Sequence, residues 1–219
     1  MRRSAPVCIL LLFVLSGIAS AQIVDQTDNQ FWSDVQVAVP MTKNIDFNVL
    51  GTFRLGRDIS HAVDERIGTG FTFRLGQHVQ IAPNYLYIGT QPVRNRRAWE
   101  SRLSLPVTLR FNVEKFRFSD RNVFERRFRR PGINSTRYRN RFQVDHAVGP
   151  DRLSLSLFVA DEVFYDWSLN RWPRNRIMAG VSKLYNKHFT QDVYYLRQND
   201  GVSVPGDLHV IGTTLRLKL

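Results

Sequence analysis

The chain has 219 residues, 31 Lys and Arg against 19 Asp and Glu, and one cysteine. That is one domain's worth of sequence with a formal net charge of +12. One cysteine excludes a disulfide framework and a thiolate metal site, and export, which the N-terminus implies, takes nucleic acid off the list of partners for the basic charge.

The N-terminus carries Arg2 and Arg3, an apolar run over residues 7–15, and the small-residue sequence Ala19-Ser20-Ala21. That order is a secretory signal peptide over residues 1–21, with Gln22 opening the mature chain. The run is too short for a bilayer-spanning helix. Cys8 lies inside it, so the mature protein is expected to lack cysteine altogether. Residues 22–219 then form a single domain.

Beyond the leader the governing pattern has period two, the mark of strands with two unlike faces. Residues 32–39 make the first clear strand. Ile45, Phe47, Val49, Phe53 and Leu55 alternate with Asp46, Asn48, Thr52 and Arg54, and Ile67, Phe71, Phe73 and Leu75 with Arg66, Gly68, Gly70 and Arg74. Trp99, Leu103, Leu105, Val107 and Leu109 alternate with Glu100, Arg102, Ser104 and Arg110. Leu153, Leu155, Leu157 and Val159 follow the same rule against Ser154 and Ser156, and the chain closes with Ile211, Leu215, Leu217 and Leu219 set against Gly212, Thr214, Arg216 and Lys218. Three-and-four spacing, the mark of an amphipathic helix, is almost absent.

Short connections are expected at residues 40–44, 76–78, 112–114, 149–151 and 186–188, and longer ones at 57–64, 91–97, 129–136, 166–175 and 198–207. The alternation of short and long suits an outer-membrane barrel. Tyr85, Tyr87, Trp99, Tyr165 and Trp167 fall near the long-loop ends, and Phe111, Phe116, Tyr185 and Phe189 near the short turns, as two aromatic girdles would. The expected fold is therefore all-β: an antiparallel up-and-down transmembrane barrel of about 12 strands, with 10 as the smaller alternative. Eleven strands are visible from Trp32 onward. A twelfth over residues 23–27, or an N-terminal segment threading the lumen, brings the chain up before residues 32–39 descend.

Two features strain this pattern. Asp120 and Asn122 take the outward phase of their strand, which a β-bulge would re-phase. Pro83 and Pro106 fall inside strands, where each removes a ladder donor.

The inward phase is rich in charge. Arg117, Arg121, Glu125 and Arg127 share one strand; Arg137, Arg139, Arg141 and Asp145 share the next; Glu100, Arg102 and Glu162 occupy the same phase elsewhere. Arginine and carboxylate on neighbouring strands can pair across the ladder. The leading reading is a packed polar interior of paired charges, the next an anion-attracting lumen, and the third a catalytic cluster. The five histidines, His61, His78, His146, His188 and His209, show neither a Ser-His-acid order nor metal-ligand spacing, and no cofactor is implied. The segment DWSLNRWPRNR places Trp167, Arg171, Trp172 and Arg174 at a loop surface, either to grip an anionic glycan or lipopolysaccharide or to anchor the loop at an interface.

The stretches QFWSDVQVAVP, SDRNVFERR, RYRNRFQ, ADEVFYDW and YYLRQNDG, followed by a terminal amphipathic strand, resemble the bacterial domain-of-unknown-function 2490 family over almost the whole mature chain. The resemblance implies a signal-bearing outer-membrane barrel and carries no catalytic residues. The closing strand is similar to a barrel-assembly signal, with Gly212, Leu215 and Leu217 in suitable places, although it ends in Leu219 rather than phenylalanine. The functional expectation is a non-enzymatic outer-membrane barrel, structural or a narrow pore, in contact with lipid and lipopolysaccharide and with the assembly machinery during biogenesis, its oligomeric state open. A soluble periplasmic ligand-binding barrel and an outer-membrane enzyme acting on lipid are the alternatives.

Overall fold

The computed structural model describes residues 27–150 and 153–219. The expected signal peptide, and the expected ascending segment up to residue 26, lie outside the described residues.

The described chain is a meander of twelve strands: β1 Thr27–Pro40, β2 Ile45–Gly56, β3 His61–Leu75, β4 Val79–Ile81, β5 Asn84–Val93, β6 Arg96–Val113, β7 Phe116–Arg130, β8 Ser135–Val148, β9 Leu155–Asp166, β10 Arg171–Asn186, β11 Phe189–Asp200 and β12 Asp207–Lys218. Each pairs antiparallel with its neighbours, and β1 closes the sheet by pairing with β12. The fold expected from alternation, an all-β up-and-down barrel of about twelve strands, is the fold observed.

The wall itself has eleven staves. Both β4 and β5 lie between β3 and β6, and they keep one register: Ile81 faces Phe73 and Asn84 faces Gly70. An odd number of alternating staves leaves the first and last pointing the same way, so β1 and β12 pair in parallel, from Thr27 opposite Asp207 to Ala38 opposite Lys218.

The two prolines separate β4 from β5 in name while the ladder continues through them. Phe71 donates to the Pro83 carbonyl at 3.0 Å and Ala82 to the Pro106 carbonyl at 2.9 Å. Pro106 has no N–H to return to Ala82, and the side-chain amide of Asn84 donates to the Ala82 carbonyl instead, at 3.0 Å. At Pro106 the closed barrel thus accepts an interior proline because a neighbouring amide supplies the missing donor.

The expected alternation of loop lengths is not observed. At the rim where long loops were expected, here the upper rim, residues 57–60, 94–95, 131–134, 167–170 and 201–206 make the connections; at the lower rim, among the wholly described connections, 41–44, 76–78, 114–115 and 187–188 do. Residues assigned to loops have joined strands. Trp99 pairs with Arg130, and β10 starts at Arg171. Ladder hydrogen bonds do not need apolar side chains, so hairpins continue past the apolar band.

Aromatic rings do gather near both rims on the outer surface, although Tyr85 pairs with Thr69 and Leu103 in mid-wall. Tyr87 stacks on Trp99 at 5.5 Å, and Tyr165 meets Trp167 and Trp172 edge-on near the upper rim. Phe111 stacks on Phe118 and Tyr185 on Phe189 near the lower rim.

The interior has two sectors. Trp32, Phe158, Ala160, Met178, Tyr194, Leu196, Leu208 and Val210 form an apolar cluster on β1 and β9–β12. The Tyr194 ring lies across Gly212, where a Cβ would collide with it, and at Gly180 a Cβ would meet the Val193 carbonyl, Tyr194 Cβ and the Phe158 ring. The facing sector, on β2, β3 and β6–β10, is charged.

Candidate functional site

The charged sector follows from neighbouring strands whose inward positions carry arginines with interspersed carboxylates. Glu125 on β7 stands directly opposite Arg137 on β8, and Arg176 on β10 opposite Glu162 on β9. Other register partners carry like charge: Arg102 faces Arg127, and Arg121 faces Arg141. Like charges directly opposed are unfavourable, and the first of these pairs is relieved by a shared carboxylate. Glu100 accepts from Arg102 Nε at 2.6 Å and from Arg127 Nη2 at 2.8 Å.

Glu125 is the hub. Only 2% exposed, it takes Arg137 through Nε at 2.7 Å and Nη2 at 2.6 Å, with Arg102 at 3.7 Å and Arg139 at 3.6 Å. Arg139 continues to Glu162 at 3.4 Å, and Glu162 meets Arg176 at 3.3 Å. Arg127 also reaches Asp166, at 3.7 Å. Of the predicted lumen residues, Glu100, Arg102, Glu125, Arg127, Arg137, Arg139 and Glu162 therefore form one lattice. Arg141 and Asp145 belong to a separate relay lower down, Arg141 donating to Gln143 at 2.5 Å and Gln143 to Asp145 at 2.9 Å. Among the described residues, Arg117 and Arg121 make no ion pair within 4 Å.

Phe164 sits within the lattice, 1% exposed, with the guanidinium carbons of Arg137, Arg139, Arg174 and Arg176 between 4.8 and 5.8 Å from its ring centre. The ring's negative face offers these cations a partner that needs no charge of its own. Trp32 plays the same part for Arg54 at 3.6 Å and Arg176 at 5.0 Å.

Several members were not singled out from sequence. Arg66 chelates Asp64 with two bonds of 2.6 Å, and Arg54 lies 3.7 Å from the same carboxylate. The alternation that marks Glu100 and Arg102 also marks Arg54 and Arg66, so that signal was present. Asp64 was obscured by its position in a segment taken as a loop, where a register irregularity puts Arg54 opposite Asp64 and Leu55 opposite Ala62.

The loop-surface group divides. Trp167 and Trp172 are exposed on the outside, in an aromatic chain with Tyr165 and Tyr138, and Arg171 is exposed at the rim. Arg174 is a correction. It turns into the lumen and is bound by Asp200 and by Ser203 at 2.8 Å. The cause is plain alternation: Arg174 belongs to a strand and not a loop, two residues before the inward Arg176 in an unbroken register with β9 and β11.

Above the lattice a cup of about 410 Å3 opens at the upper rim, with Trp32, Arg54, Arg66, Arg102, Arg139 and Arg176 in its lining. The histidines stand apart from it and from one another. His78 and His188 bond to backbone carbonyls of Arg110 and Lys218, His209 to the Tyr195 hydroxyl, and the His146 ring lies 4.6 Å from Phe116. Among the described residues no three His, Cys, Asp or Glu side chains are grouped to hold a metal ion.

Among solved structures, an anion-selective porin from Comamonas acidovorans is similar at 11% identity and a TM-score of 0.41, over 80% of this chain and 54% of that one. The siderophore receptor PirA from Pseudomonas aeruginosa is similar at 13% identity and a TM-score of 0.30, over 74% of this chain and 32% of that one. The chain thus spans about half the length of the porin and a third of the receptor. No curated protein matches the sequence. The family described as a protein of unknown function, DUF2490, matches residues 29–207, and the chain belongs to that family.

Proposed function

We propose that this chain is an exported, non-enzymatic outer-membrane β-barrel whose lumen is closed at rest by its own arginine–carboxylate lattice. The observation that carries the reading is the polarity of the wall. Phe53, Ile67, Leu103, Phe124, Val159, Ile177 and Ile211 are 43% to 64% exposed on the outside, while Glu100, Arg102, Glu125, Arg137, Glu162 and Arg176 are at most 8% exposed within. In water, large apolar side chains turn inward and charges outward. A closed barrel surrounded by lipid reverses both, and leaves no free sheet edge. The aromatic rings at both rims support the same surroundings, with lipopolysaccharide and lipid as the outer contacts. The apolar outer face of β12 is what barrel-assembly machinery would engage.

A soluble ligand-binding barrel would need an apolar lumen, and here charge fills half of it. A conducting pore requires a path past Glu125 and Phe164. The closed reading is tested in planar bilayers with refolded protein that shifts mobility on boiling. No steady conductance is expected from the wild type. Discrete single-channel steps at moderate voltage overturn closure and favour a narrow, arginine-lined pore.

A further inference from the structure

On the outside of β7–β10 the apolar surface is broken. Asp120 and Asn122 point outward from β7, and the register of β7 with both neighbours runs through them without a bulge. Sequence reasoning expected a bulge to turn them inward; the structure keeps them outside and gathers more polar groups around them. Asn140 on β8 donates to Asp120 at 2.5 Å and to Asn122 at 3.1 Å, Asn122 donates to Asp120 at 3.0 Å, and the Tyr138 hydroxyl donates to Asn122. Beside them, Asn175 on β10 donates to Asp161 on β9 at 2.6 Å.

This patch is not at a rim. Along β7 the outward neighbours are Phe118 below and Phe124 above, and along β9 they are Val159 and Val163. The two carboxylates also lack cations. Among the described residues no Lys or Arg lies within 4 Å of Asp120 or Asp161. The outward arginines above are engaged elsewhere, Arg126 by Thr136 and Arg197 by Asp207. Ionisable groups inside the apolar band of a membrane are expensive and are found facing protein or water, not acyl chains.

We propose that this patch is the contact surface for a second copy of the same chain, in a two-fold dimer. The proposal rests on the membrane reading above. Its occupant follows from chemistry. The patch offers acceptors, Asp120 and Asp161, beside donors, the amides of Asn122 and Asn175, each of which spends one N–H within the patch and keeps a second, so it is complementary to itself when turned by a two-fold axis. Val49 on β2, Leu105 on β6 and Val193 on β11, which face outward elsewhere on the wall, have no hydrogen bond to give it. A dimer through this face covers the carboxylates and leaves the apolar remainder to lipid.

The mature chain carries no native cysteine on the signal-peptide reading, so single cysteines report cleanly. Phe142 pairs with both Asp120 and Asp161 and points outward, at the centre of the patch. Phe142→Cys and Val163→Cys, treated in isolated outer membranes with a short bismaleimide, are expected to give a dimer band in most of the protein. Val49→Cys, on the far side of the barrel, is expected to give at least tenfold less. The double variant Asp120→Leu, Asn122→Leu is expected to fold, to shift on boiling, and to run as a monomer by light scattering in mild detergent where the wild type runs as a dimer. Phe142→Cys and Val163→Cys proteins that are heat-modifiable and membrane-embedded yet remain uncross-linked overturn the dimer alone. Cross-linking to a different protein overturns the choice of occupant. Release of the wild type by carbonate without detergent overturns the membrane reading, and the dimer with it.

Discussion

Neutralising Glu125 is the sharpest probe of the lattice. Glu125→Gln keeps the shape of the side chain and one acceptor oxygen, but removes the charge. The wild-type carboxylate binds Arg137 through two contacts of 2.7 and 2.6 Å and faces Arg102 and Arg139 at 3.7 and 3.6 Å. Loss of one charge-assisted bond to Arg137 removes about 1.5–3 kcal/mol. Three guanidiniums are then left around a neutral group that is 2% exposed, and breaking a buried ion pair from one side costs roughly 3–5 kcal/mol in all. The assay is equilibrium urea unfolding of refolded protein in detergent micelles, followed by tryptophan fluorescence and by mobility on unboiled gels. Adding Arg137→Met to Glu125→Gln removes the stranded cation as well, and should recover a large part of the loss. A cost below about 1 kcal/mol for the single variant refutes the reasoning, because it means that water already screens the site and the lumen is open. A double variant no more stable than the single refutes it differently: the penalty is then not one of uncompensated charge.

Two further expectations use the same unfolding measurement. Asn84→Ala strands the Ala82 carbonyl and should cost about 1 kcal/mol; in a Pro106→Ala background, where a backbone donor is restored, the same change should cost clearly less, and strict additivity would disprove the substitution of one donor for another. Gly212→Val drives a side chain into the Tyr194 ring and should destabilise by about 1–3 kcal/mol, whereas Gly51→Ala meets nothing within 4 Å and should change stability by less than about 0.5 kcal/mol; equal effects at the two glycines would show that Tyr194 is not packed across the lumen as described.

Alternation was readable because it is local. Successive side chains on a pleated strand leave opposite faces, so Glu100 and Arg102 announce an inward phase, and Leu103 and Leu105 an outward one, whatever the strand pairs with. Most of the lattice was legible for that reason. Which arginine meets which carboxylate was not, because Glu125 reaches Arg137 only through the β7–β8 register. Arg174 was placed on a loop surface with Trp167 and Trp172 because its segment read as a loop, whereas it shares the inward phase of Arg176 on β10. Loop lengths misled for a related reason. Turn-like residues near Arg129 and Gln91 resemble a loop, yet their backbones continue the ladder.

The amino-acid sequence by itself therefore determined the class of wall, its apolar and charged faces and the residues available to each, since these depend on period-two patterning and on where charge can be buried. Tertiary structure decided the rest: eleven staves with a parallel seam, a lumen filled by one connected lattice, and outward polar residues from four strands brought to one place. Each of these depends on register between strands distant in the chain or on closure of the ring, and neither is encoded in any single stretch of residues.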